Sequence, residues 1–138
     1  MLTGASGFVG AHLLKALSLN QTFEIFCPYT NVHGGNIARV ETLFDGKVPS
    51  NIKLFKHDLA KVPLSSVDEL RGVNLIINLA SGSHVDESIA SPKLFVENNL
   101  ALMQNVLEYS RLNSDKINLI HFSTDEVYGS VSQNLSNS

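Results

Sequence analysis

Thr3-Gly4-Ala5-Ser6-Gly7-Phe8-Val9-Gly10 decides the fold. Its glycines fall three apart, and His12-Leu13-Leu14-Lys15-Ala16-Leu17 follows at once. Val9, Leu13, Leu14 and Leu17 share one face at helical spacing, so the stretch reads as a glycine-rich turn opening a helix. Such a turn presents bare backbone N–H groups to an anion, and the positive end of the helix dipole adds to the attraction. Gly4 would allow the tight turn, Gly7 the close approach of a pyrophosphate, and Gly10 close helix-to-strand packing. Glycine-rich turns that hold no phosphate are also common, so the motif alone leaves two readings open.

The rest of the chain alternates strands with helical segments. Residues 23–27 form a short apolar run that reads as a second strand, ended by Pro28, which cannot donate to a ladder. Residues 31–36 read as a loop and 37–44 as a helix. Residues 52–55 are a third strand, and 66–70 a short helix capped by Ser65 or Ser66. Residues 73–80 are the strongest strand, an unbroken apolar run that suits a parallel strand covered on both faces. Residues 94–112 are the longest helix and 117–122 a fifth strand. This alternation predicts an α/β fold with a doubly wound parallel sheet of the Rossmann type, in one dinucleotide-binding domain over residues 1–138.

Bulk properties narrow the class. With 43% hydrophobic and 17% charged residues the chain reads as an ordinary globular domain. A net charge of -3, with no Lys/Arg cluster, argues against a nucleic-acid surface. The one cysteine, Cys27, excludes an intrachain disulfide framework and points to a reducing, cytoplasmic setting. No apolar run reaches the roughly 18 residues of a membrane span. Only Met1, Leu2 and Thr3 precede the glycine turn, whereas a central strand has about five residues, and the chain stops soon after its last motif. A fragment truncated at both ends is expected.

In this fold, ligands gather at the carboxyl ends of the strands. The unusual polar clusters all fall there: Gly4 to Gly10, Tyr29 to Asn31, Asp58-Leu59, Ser81 to Asp86, and Ser123 to Glu126. Asp58 suits the adenine amino group, or simply a turn. His84 and Asp86 lack a third ligand at sensible spacing, so no metal site is expected. Asp125 and Glu126 are adjacent carboxylates at a strand end. One could serve as acid and the other as base if their environments differ, or both could cap a solvated turn. Neighbours in a strand point to opposite faces, so both reach one substrate only if the backbone leaves the strand there.

These residues resemble a known family. The glycine stretch is similar to the cofactor fingerprint of the extended short-chain dehydrogenase/reductase superfamily. Ser83-His84-Val85-Asp86-Glu87-Ser88-Ile89 and Ser123-Thr124-Asp125-Glu126-Val127-Tyr128-Gly129 resemble the dTDP-glucose 4,6-dehydratases within it. The resemblance runs from Leu2 to Gly129 and implies NAD as cofactor and a nucleotide sugar as substrate. It implies that Glu126 removes the C5 proton, that Asp125 protonates the departing C6 hydroxyl, and that Thr124 bonds the oxygen at C4. Phe8 and Val9 would offer N–H groups to the pyrophosphate, and Asp58 and Leu59 would hold adenine. Leu79, Ala80 and Ser81 would line the nicotinamide, Asn98 would face the cofactor, and Ser83 would touch the sugar. Homodimerisation through the long helix and a second one beyond Ser138 is also implied.

Two departures stand out. The family's ribose-binding aspartate falls on Tyr29, with no carboxylate between Glu24 and Glu41. Thr30 or Asn31 could supply a weaker hydrogen bond, and the loop has no arginine for a 2′-phosphate. The family's oxidising tyrosine, with a lysine four residues later, is not Tyr128, because Ser132 stands at the lysine position. The sugar-nucleotide domain is absent too, so the 138 residues alone are expected to be inactive. A different sugar-nucleotide dehydratase or epimerase acting on UDP- or GDP-sugars is one alternative. A degenerate, non-catalytic dinucleotide-binding module is the other.

Overall fold

A computed structural model describes residues 1–32, 35–113 and 115–129. Among the described residues, five strands and four α-helices follow one another. They are β1 (Leu2–Thr3), α1 (Phe8–Ser18), β2 (Ile25–Tyr29), α2 (Ile37–Leu43), β3 (Ile52–Lys56), β4 (Leu75–Asn78), α3 (Val85–Ala90), α4 (Pro92–Leu112) and β5 (Asn118–His121). One sheet has the order β1-β4-β5, and β2 pairs with β3 in a second ladder. β1 lies against β2 without a ladder between them. Leu2 is opposite Ile77, Ile77 opposite Ile120, and Cys27 opposite Leu54. These registers put the strand ends that lead into Gly4, Thr30, His57, Leu79 and Phe122 along one edge.

Two apolar clusters hold the layers together. On one side, Leu2, Ala5, Ala11, Leu14, Cys27 and Val40 join β1 and β2 to α1 and α2. On the other, Leu64, Leu70, Ile76, Leu102 and Val106 join β4 to α4. Each fully buried leucine or isoleucine contributes about 1.5–3 kcal/mol, so these clusters anchor the helices whose ends frame the strand edge.

The elements differ from the sequence reading in four places. β2 does not stop at Cys27 but runs through Pro28 to Tyr29. The N–H of Ile25 bonds Asn51 and the carbonyl of Tyr29 accepts from His57, so the odd residues face β3. Pro28 therefore points its nitrogen away from the ladder, where no donor is needed. The short helix at 66–70 is instead a pair of 3-10 turns, Leu64–Ser66 and Asp68–Gly72. β4 is four residues long, and Leu75 is exposed on one face. α3 is an additional short helix, without a buried residue. Part of the expected 31–36 loop, and Ser132, fall outside the described residues.

Candidate functional site

The glycine turn packs against the end of β4. Gly4 has φ of 71°, a left-handed conformation that favours glycine. A Cβ there would also lie 2.7 Å from the Leu79 carbonyl carbon and 2.8 Å from the Ala80 nitrogen. The Gly7 N–H closes the turn on the Gly4 carbonyl at 2.9 Å. Gly7 is the N-cap of α1, and Ala11 is the first donor to bond back, to the Gly7 carbonyl at 3.1 Å. The N–H groups of Phe8, Val9 and Gly10 thus precede the helical ladder and are free for an anion. The Phe8 and Val9 side chains are exposed.

An open cleft of about 480 Å³ runs along the strand edge. Of the residues the sequence assigns to cofactor or sugar, it gathers Gly4, Gly7, Phe8, Val9, Gly10, Thr30, Asp58, Leu59, Leu79, Ala80, Ser81, Ser83 and Asn98. Asn31 is not on its wall. Its side-chain oxygen accepts from the N–H of Ile37 at 3.1 Å, which ties the loop to the start of α2. Ser123 reaches the cleft, whereas Thr124, Asp125 and Glu126 lie just beyond it. β5 ends at His121, and Asp125–Tyr128 forms a 3-10 turn capped by the Thr124 hydroxyl, 3.4 Å from the Glu126 nitrogen. The backbone has left the strand before the acidic pair, and both carboxylates are solvent-exposed. Among the described residues no cluster suits a metal ion.

Asp58 holds its own turn. One carboxylate oxygen accepts from the Ala60 N–H at 3.0 Å, and the other lies 3.3 Å from the Lys61 ammonium. Asn105 of α4 fixes the same segment from below, donating to the carbonyls of Leu59 and Val62 and accepting from the Leu64 N–H.

Polar side chains that the sequence reading passed over align the strand ends. The Thr3 hydroxyl donates to the Asn78 side-chain oxygen and accepts from the Ala80 N–H at 3.2 Å. The Asn78 amide donates to the His121 Nδ1 at 3.0 Å. This chain crosses β1, β4 and β5 just below the cleft, and Asn78 is fully buried. Satisfied buried polar groups of this kind specify one register. Asn99, next to Asn98, grips the Gly82 backbone from both sides: its oxygen accepts from the N–H at 2.6 Å and its amide donates to the carbonyl at 3.0 Å. A Cβ on Gly82 would meet the Phe95 ring at 3.0 Å, so the segment that carries Ser81 and Ser83 is clamped to α4.

The loop at the end of β2 holds no arginine, but one reaches the cleft from α2. Arg39 lines it together with Tyr29, Thr30, Val32 and Gly35, and its Nη1 donates to the Ser6 carbonyl. The Ser6 hydroxyl donates to the Thr30 carbonyl at 3.4 Å, so glycine turn, loop and helix meet at this corner.

Comparison with known proteins bears on this architecture. The chain is 33% identical to dTDP-glucose 4,6-dehydratase of Streptomyces antibioticus, over 95% of its own length and 38% of that protein's. It is 30% identical to dTDP-glucose 4,6-dehydratase 1 of Escherichia coli K12, over 94% and 37%. The crystal structure of DesIV, a dTDP-glucose 4,6-dehydratase from Streptomyces venezuelae with NAD bound, superposes with a TM-score of 0.80 at 29% identity. That match covers 95% of this chain and 41% of DesIV. The chain thus spans about two fifths of the length of such relatives. The model of the family described as GDP-mannose 4,6 dehydratase matches residues 1–137. With a parallel Rossmann-type sheet, a glycine turn at its edge and this match over nearly its whole length, the chain belongs to the GDP-mannose 4,6 dehydratase family.

Proposed function

We propose that this chain is the cofactor-binding part of an NAD-dependent sugar-nucleotide 4,6-dehydratase that converts dTDP-glucose to its 4-keto-6-deoxy product. The observation that carries the reading is the placement of Thr124-Asp125-Glu126 on a turn directly after Ser123, at the end of the cleft. The cleft fits a dinucleotide: free N–H groups at the start of α1, and a turn at Gly4 that a Cβ would fill. Bound NAD would take the hydride from C4 of the sugar and return it to C6.

This chain's residues supply the proton transfers of the elimination; the C4 hydroxyl proton, released as the hydride leaves, goes to the family's tyrosine outside this chain, and C5 regains a proton as the hydride returns to C6. Thr124 hydrogen-bonds the C4 oxygen, whose ketone form acidifies the C5 proton. The Glu126 carboxylate removes that proton. Asp125, protonated, gives its proton to the C6 hydroxyl, which departs as water. Elimination needs one acid and one base on the same substrate, and epimerisation at C4 has no leaving hydroxyl to protonate. Ser83, held by the clamped Gly82 segment, contacts the sugar, and Leu79 to Ser81 face the nicotinamide.

The intact protein is a cytoplasmic homodimer in this reading. The exposed Leu94, Leu100 and Leu107 on α4 support a subunit contact there. No described helix is long and apolar enough to cross a membrane. The test is conversion of dTDP-glucose by the intact protein, with UDP-glucose and GDP-mannose beside it and Glu126→Gln as control. The reading expects turnover of dTDP-glucose and loss of about a thousandfold or more in the variant, in line with removal of a general base. Full activity in Glu126→Gln would remove the assigned base, and turnover of only another nucleotide sugar would change the substrate.

A further inference from the structure

Asp58 and Leu59 stand side by side on the cleft wall. The last ladder bond of β3 runs from the His57 N–H to the Tyr29 carbonyl, so both residues lie beyond the sheet. The Leu59 N–H has no partner among the described residues. The Asp58 carboxylate accepts from the Ala60 N–H and lies against Lys61, yet each of its oxygens can accept a further hydrogen bond. A free donor beside an acceptor matches the edge of adenine, whose amino group donates and whose neighbouring ring nitrogen accepts.

What fixes this turn comes from α4. Asn105 is half-buried on the same side of the helix as Leu102 and Val106, and it is not on the cleft wall. Its whole side-chain amide is engaged by the turn. Nδ2 donates to the Leu59 carbonyl at 2.9 Å and to the Val62 carbonyl at 2.7 Å, and Oδ1 accepts from the Leu64 N–H at 2.8 Å. The Leu59–Ala60 peptide is thus pinned at both ends, its carbonyl on Asn105 and its N–H on the Asp58 carboxylate. The Asp58 carbonyl accepts from the Lys61 and Val62 N–H groups at 3.0 and 2.9 Å. In a trans peptide this turns the Leu59 N–H the opposite way. His57 Nε2 bonds the same Val62 carbonyl at 2.9 Å and closes the turn on the strand end.

We infer that Asn105 is a positioning residue for the cofactor's adenine: from α4 it holds the 58–62 turn so that the Asp58 carboxylate and the Leu59 N–H face the base together. The inference rests on the dinucleotide reading above and deepens it, because it names the residue that sets the choice of base without touching the cofactor. Asn105→Asp keeps the size of the side chain and the acceptor for Leu64, but it sets a carboxylate oxygen against two carbonyls, which forces the turn open. Asn105→Ser removes the bonds to the turn without adding charge.

Calorimetric titration of the intact protein with NAD+ and with nicotinamide hypoxanthine dinucleotide tests this. The second ligand differs only at the base, where a carbonyl oxygen replaces the amino group and the neighbouring ring nitrogen carries a proton. The unaltered protein should bind NAD+ at least about tenfold more tightly, the worth of one hydrogen bond to a charged group. Asn105→Asp and Asn105→Ser should each weaken NAD+ by about tenfold and the hypoxanthine dinucleotide by less than about threefold, which nearly abolishes the preference. KM for the nucleotide sugar at saturating NAD+ should change by less than about twofold, since Asn99 holds the Gly82 segment independently. Should Asn105→Asp not fold, Asn105→Ser reads the same ratio. A ratio unchanged in the variants, whether both dinucleotides weaken or neither does, would overturn the positioning role. So would the lack of any preference for adenine in the unaltered protein; the dinucleotide reading would stand in both cases. Binding of neither dinucleotide by the folded, unaltered protein would overturn the dinucleotide reading itself.

Discussion

The Cα of Gly10, in the first turn of α1, faces the carbonyl of Gly4 across the glycine turn so closely that a Cβ on Gly10 would run into that carbonyl oxygen. The same Cβ would lie 2.7 Å from the Gly4 carbonyl carbon and 3.0 Å from the Ala5 Cα. Backbone cannot give way as a flexible side chain does. Helix and turn are therefore locked together at a spacing only glycine permits, and that spacing sets where the free N–H groups point.

Gly10→Ala should consequently cost about 2–3 kcal/mol, the range of overpacked sites, and weaken dinucleotide binding beyond its effect on folding. Gly72→Ala is the control: a Cβ there meets nothing within 4 Å, and the φ is not positive. It should shift stability by less than about 0.5 kcal/mol. Denaturant titration of both variants, with NAD+ binding, reads the difference.

The Asn99 grip on Gly82 predicts a different pattern. Asn99→Leu removes both hydrogen bonds and leaves the Gly82 N–H and carbonyl without their partners in a partly buried setting. The expected loss is about 1–3 kcal/mol in stability. Because Ser81 and Ser83 flank the clamp, KM for the nucleotide sugar should rise more than kcat falls. Asn99→Asp preserves the acceptor for the Gly82 N–H and should recover part of the KM. An unchanged KM in Asn99→Leu would show that the clamp serves folding alone.

Cys27 is fully buried in β2, and burial pushes its thiol up to about 12 from an ordinary 9.0. The raised value favours the protonated thiol in the folded state. Its contribution to stability is complete below the unfolded value and is lost as pH rises toward the folded one. Between about pH 9 and pH 12 the unfolded chain releases the proton while the folded chain keeps it, so stability should fall with rising pH. Urea unfolding across this window should show a slope that diminishes in Cys27→Ala. In the native protein at pH 8, a thiol reagent should label Cys27 far more slowly than in urea.

Much of this architecture was legible because the decisive signals are local. The glycine spacing, the apolar run of β4 and the polar clusters at strand ends read directly as a doubly wound sheet with a cleft along one edge. Pro28 misled because proline rules concern which way the missing N–H faces, and that depends on register with β3. α3 escaped notice because Val85–Ala90 is short and buries nothing, leaving no periodicity. The 3-10 turns between β3 and β4 have the same composition as a short helix. Asn99 could not be told from Asn98 until the rotation of α4 against the Gly82 loop was known. Arg39 was missed for a related reason: it reaches the cleft from the first turn of a helix rather than from the loop after β2.

The most direct test of the dehydratase reading follows the C5 proton. In that reading Glu126 removes it and solvent replaces it, so dTDP-glucose turned over by the intact protein in D2O should give a 4-keto-6-deoxy product that carries deuterium at C5. Glu126→Gln should bind NAD+ as the unaltered protein does but form this product at least about a thousandfold more slowly. Product without C5 deuterium, or an epimerised sugar that keeps its C6 hydroxyl, would contradict the assignment of Asp125 and Glu126 as the acid and base of an elimination.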